Sequence, residues 1–93
     1  LGLHMHTLIS VAPPAPVTFG GGSVEPIHTP LTLRATPGSG GTLTVETRIS
    51  RLGAWSAWPA GAVSAETTYV LTAPVEALRF TATVTAGTVE IAQ

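Results

Sequence analysis

Three histidines head the side chains able to do chemistry: His4 and His6 alternate near the start of the chain, and His28 follows. Alternate residues of an extended segment share a face. His4 and His6 could therefore meet a metal ion, with His28 as a third ligand, because exposed imidazole is a common ligand. The pair lies in a terminal region, where a simple solvated role accounts for it. No metal and no other cofactor is expected.

Nucleophilic catalysis needs a nucleophile, a base and a third group that orients the base. The chain has neither Cys nor Asp, which leaves Glu as the orienting group. The nearest approach to a nucleophile elbow, Gly21-Gly22-Ser23-Val24-Glu25, lacks the final glycine, and Gly38-Ser39-Gly40-Gly41 suits a hairpin loop better. Neither glycine cluster opens a helix, and a phosphate-binding P-loop also needs a lysine that is missing here. Glu46 and Glu90 fall on outward faces of extended runs, where solvation explains them better than paired acid and base work. The expectation is a chain with no catalytic residues, and so not an enzyme.

Trp55 and Trp58 remain, in Gly53-Ala54-Trp55-Ser56-Ala57-Trp58-Pro59. Their odd spacing on a strand would put them on opposite faces, so that one ring could cap the core while the other stays partly exposed. The weightier expectation is that both seal a thin core or its end. An exposed ring can stack on a sugar or fill a partner's pocket.

Composition bounds the setting. Charged residues make up 10% of the chain, against roughly 25% in an average soluble domain, so few charges are left to cover a monomer. A chain of 93 residues without cysteine builds a thin core and has no disulfides to reinforce it, which makes self-association or docking on a larger body an expectation. A net charge of −1 argues against a nucleic-acid partner, since counterion release needs clustered cations. No apolar run approaches the roughly 20 residues of a membrane-spanning helix, so no membrane association is expected. Met5 offers a natural start, with Leu1 to His4 upstream of it.

The elements that must position these residues divide near residue 30. Before it, five prolines surround Gly20-Gly21-Gly22, which predicts an extended arm over residues 1–29 with two short strands, Leu8 to Ala12 and Val17 to Phe19. Ile9, Val11, Val17 and Phe19 of this arm, together with Trp55 and Trp58, are the candidate partner-contact residues. Removing this arm is expected to leave the strand domain folded but to weaken oligomerisation or partner binding; if Leu8 to Phe19 instead supply intrinsic strands, the same deletion unfolds the domain.

Residues 30–93 alternate with period two, the mark of strands with one buried face. Two hairpins follow from that pattern. In the first, Ala35 opposes Leu43 and Leu33 opposes Val45, with Arg34 diagonal to Glu46. In the second, a tight turn at Ala86-Gly87 sets Val84 opposite Val89 and Ala82 opposite Ile91. The expected core is Leu33, Val45, Ile49, Tyr69, Leu71, Leu78, Phe80, Val84, Val89 and Ile91. No helical stripe persists, and the expected fold is all-β: a small antiparallel β-sandwich or barrel with an extended Pro/Gly-rich N-terminal arm.

The order Trp55, Trp58-Pro59, Gly61, Thr68-Tyr69, Leu71-Thr72, Pro74-Val75, Ala77-Leu78-Arg79-Phe80 and Gly87 resembles small β-rich structural proteins of tailed bacteriophages. In these a tryptophan loop precedes a strand, a proline corner and a final hairpin with a similar Leu-Arg pair. The resemblance covers Gly53 to Gln93 and rests on packing and turn residues. It implies a virion role: a head decoration or cement protein on the capsid surface, or a tail-associated module. It further implies the major capsid protein or another virion protein as partner, and a homo-oligomer, with a trimer favoured. From a different class, a carbohydrate-binding β-sandwich would use Trp55, Trp58 or Tyr69 as its stacking platform.

Overall fold

The computed structural model describes residues 6–21 and 27–93, and for residues 59 and 60 the backbone alone. Among these residues eight strands follow in chain order: β1 (His6–Val11), β2 (Val17–Gly20), β3 (Leu31–Thr36), β4 (Thr42–Arg48), β5 (Ser56–Val63), β6 (Thr67–Leu71), β7 (Ala77–Thr83) and β8 (Gly87–Ala92). No helix forms among the described residues. The fold is all-β, as the alternation of apolar and polar residues requires.

The strands form two four-stranded sheets, β1-β8-β3-β6 and β2-β7-β4-β5, called here sheets A and B. Every ladder is antiparallel. Successive strands change sheet at every connection except β4 to β5. This order is the jelly-roll arrangement of eight strands in two packed sheets.

Inward faces of both sheets make one core. Sheet A contributes Val11, Leu31, Leu33, Ala35, Tyr69, Leu71, Val89 and Ile91, and sheet B contributes Phe19, Leu43, Val45, Leu78, Phe80 and Ala82. Each large apolar side chain so buried stabilises the fold by about 1.5–3 kcal/mol relative to exposure. No charged side chain is buried among the described residues.

Both expected hairpins are replaced by crossings between sheets. β3 pairs with β6 and β8, and β4 pairs with β5 and β7, so Leu33 opposes Tyr69 and Ile91 while Val45 opposes Phe80. β7 and β8 likewise lie in different sheets. Two strands that face each other across a core present the same inward residues as two strands that pair edge to edge. The alternation alone therefore allows either. The two crossing loops lean on each other: Thr85 Oγ1 donates to the Ser39 carbonyl at 3.0 Å. Side chains at Gly38 and Gly41 would collide with the carbonyls of Ala86 and Thr83, which is why this contact needs glycine.

Two expected core residues lie outside. Ile49 is 82% exposed because β4 ends at Arg48 and the chain turns away before the next inward position. Val84 is 76% exposed at φ 69°, in the β7–β8 loop. The other eight are buried.

The two short strands expected before residue 30 are β1 and β2, one at an edge of each sheet. Val11 and Phe19 are in the core, and Ile9 and Val17 pack half-buried against it. These four side chains serve the chain's own interior, and Val11 and Phe19 are not available to a partner in this fold.

Candidate functional site

At the end of the molecule where β2, β4 and β6 finish, three segments meet. The Gly21 amide donates to the Glu76 carbonyl at 3.0 Å, and the Glu76 amide donates to the Arg48 carbonyl at 2.8 Å. These bonds tie the residue after β2 and the β6–β7 connection to the last residue of β4. Beyond Arg48 the chain makes a tight turn in which the Gly53 amide donates to the Ser50 carbonyl at 2.9 Å, and then delivers Trp55 to the start of β5.

Alternation along β4 and β7 puts Glu46, Arg48 and Arg79 on the outer face of sheet B, opposite the buried Val45 and Phe80. Arg48 Nε donates to Glu76 Oε1 at 2.8 Å, and its Nη2 stands 2.7 Å from the same oxygen. Arg79 engages Glu46 Oε1 in the same way, both nitrogens at 2.9 Å. The two pairs are part-buried, so solvent screens them less than it screens a surface pair. Each guanidinium carbon lies 4.6 Å from the centroid of the Trp55 ring. That geometry gives a cation–π attraction of about 0.5–2 kcal/mol per contact. Trp55 is thereby fixed on the outer face of sheet B by two arginines, each held by its own carboxylate.

This bracing stands beside an exposed turn that carries two aliphatic side chains together with Ser50 and Arg51. Leu52 is 100% exposed, and Ile49 lies just before it in the same loop. The loop was legible as a tryptophan loop, but its two aliphatic residues were not: Ile49 continued the alternation of a strand that stops one residue earlier.

Trp58 lies on the other side of β5. It packs half-buried against the core and meets Tyr69 of β6. The two tryptophans thus take opposite faces, as their spacing predicts. Three residues extra on β5 accommodate this: Thr44 pairs with Ala62 and Glu46 with Ala57, so the strand bulges between them, and Gly61 there has φ 78°.

Other sequence candidates are scattered. His6 lies on β1 and His28 before β3, where its amide donates to Gln93 Oε1 at 2.9 Å. No group of three or more His, Asp or Glu side chains suited to a metal gathers among the described residues. His4 and Ser23 lie outside those residues. Glu90 pairs with Arg34 on the outer face of sheet A, not with Glu46, whose expected diagonal partner Arg34 is in the other sheet.

Comparison with protein-family models, with curated proteins and with solved structures gave no match. Among the described residues the class is an eight-stranded jelly-roll sandwich with a loop, braced at Trp55, that exposes Ile49 and Leu52.

Proposed function

We propose that this chain is a non-catalytic structural protein of a tailed-bacteriophage virion, a head decoration or cement protein that docks on the capsid surface through the loop from Ile49 to Trp55. The observation that carries the docking is the exposed Ile49 and Leu52 on a loop whose base is fixed by Trp55, Arg48 and Arg79. Exposed apolar side chains on a short loop anchored at its base suit a partner's pocket, because the loop backbone loses less freedom on binding than an unanchored segment would. The virion setting rests on the resemblance over Gly53 to Gln93. Jelly rolls build viral capsid and lectin domains alike, so the fold is compatible with the setting without choosing it.

The lectin reading has less support. A sugar stacks on a free aromatic face. Here Tyr69 is buried, Trp58 packs on Tyr69, and Trp55 carries two guanidinium groups over its ring.

The test is sedimentation of the purified chain with empty heads of the phage whose genome encodes it, a setting that an adjacent major capsid gene would identify. Binding is expected, and Leu52→Asp should weaken it about tenfold or more, the equivalent of one lost aliphatic anchor. Absence of binding to heads and tails would overturn the proposal. So would full-strength binding of an Ile49→Asp, Leu52→Asp double variant.

A further inference from the structure

The outer face of sheet A differs from that of sheet B. Its ion pair, Arg34 with Glu90, is long at 3.6 Å and about half exposed, where the pairs of sheet B close to 2.7 and 2.9 Å. Leu8 on β1 and Val70 on β6 are 73% and 61% exposed, so an apolar side chain stands at each margin of the face. Between the margins lie small residues and methyl-bearing threonines: Ala92 and Thr32 in one cross-strand row, Thr88 and Thr36 in another.

We infer that this face is a homodimer interface, its occupant a second copy of the chain related by a two-fold axis that runs along the strands between β8 and β3. Strand order decides the consequences. Such an axis lays β8 over the partner's β3 and β1 over the partner's β6, while keeping each residue's height along the strands. Glu90 and Arg34 are direct cross-strand neighbours. Each therefore faces its opposite in the second copy, and four charges alternate around a square with an attraction along every side. Leu8 shares its row with Thr68, through Glu90 and Arg34, so it meets the second copy's Thr68 and the neighbouring Val70. The same operation sets Val70 over the second copy's His6, with Leu8 one row away, so the charges match directly and the two apolar residues only diagonally.

Four strands spaced about 4.8 Å apart, with six residues rising about 3.4 Å each, give a face of about 20 by 20 Å. Such a face buries about 400 Å² per copy, about 800 Å² in all, below the roughly 1,200 Å² of a stable specific interface, so the dimer is a weak, transient one. This inference does not rest on capsid binding. It uses the outer face of sheet A, whereas Ile49 and Leu52 follow β4 of sheet B, and it proposes a dimer where the resemblance implies a trimer.

Sedimentation equilibrium of the free chain from about 1 to about 500 μM, a range spanning micromolar association, should show monomer passing to dimer. Arg34→Glu makes all four charges negative and Glu90→Arg makes all four positive, so each variant alone should dimerise at least about tenfold more weakly, as loss of charge pairing entails. Mixed in equal amounts, the two should form a one-to-one heterodimer, seen by native mass spectrometry, because attraction then operates only between chains. Leu8→Ser should weaken association and Leu52→Ser should leave it unchanged, and these two decide if a charge variant fails to fold. A wild-type chain that stays monomeric at the top of the range, or assembles as a trimer, overturns the inference. Heterodimer absent from the mixture of folded variants overturns it too.

Discussion

Trp58 and Tyr69 meet with ring centroids 5.1 Å apart and planes inclined at 37°, one ring from the edge strand of each sheet. The contact closes the β5–β6 flank of the sandwich, where no ladder joins the sheets. The Tyr69 hydroxyl is buried and has no hydrogen-bond partner among the described residues.

An unpaired buried hydroxyl costs stability, so removing it should help. Tyr69→Phe keeps the ring against Trp58 and is expected to raise the unfolding free energy by about 1 kcal/mol in urea titrations. A loss of stability would show that the hydroxyl is paired after all. Burial also raises the Tyr69 phenol above its ordinary pKa of 10.0. A raised acid binds its proton more tightly folded than unfolded, so its contribution is complete below the unfolded value. It is lost as pH climbs from about 10 through the folded pKa. The wild type should therefore lose stability on that alkaline limb, and Tyr69→Phe should lose less.

Val84 occupies φ 69°, a region in which a β-branched residue is strained. Its side chain is exposed, so replacing it sacrifices little packing. Val84→Asn should stabilise the fold by about 1 kcal/mol, since Asn tolerates the left-handed region at lower cost. Thermal unfolding checks this, and a lowered midpoint would mean that the loop depends on the valine.

Phe80 and Ile49 show where the sequence was readable. Phe80 alternates with Arg79 and Thr81 inside a strand and is fully buried, as predicted. Ile49 keeps the same parity as Val45 but falls after the strand's end, and parity has no meaning once the backbone turns. Likewise, alternation identifies the inward faces of β3, β4, β7 and β8 but not which strands hydrogen-bond, because pairing across a core and pairing along a sheet bury the same residues. The candidate site was half readable for a related reason. Trp55 and its loop announce themselves by composition, whereas Arg48, Arg79, Glu46 and Glu76 reach it from distant segments. Phe80→Ala should cost about 3–5 kcal/mol and Ile49→Ala within about 0.5 kcal/mol. Denaturant titration of the two variants separates core from surface directly.

The segment before residue 30 supplies the last prediction. Its prolines and glycines suggest an arm that could be removed, yet β1 pairs with β8 along six residues and β2 pairs with β7 along four. Deletion would strip the edge strand from both sheets at once. It would expose the inward faces of Val89, Ile91, Leu78 and Phe80 beside the vacated positions of Val11 and Phe19, both of which are buried. Two large apolar side chains lost from a core at about 2–5 kcal/mol each approach the whole stability of an ordinary small domain. A chain beginning at Pro30 should accordingly lack a cooperative unfolding transition and the β-type far-ultraviolet circular dichroism of the full chain. A folded, cooperative fragment would show instead that β3 to β8 form a self-sufficient sandwich on which the first two strands are accessory.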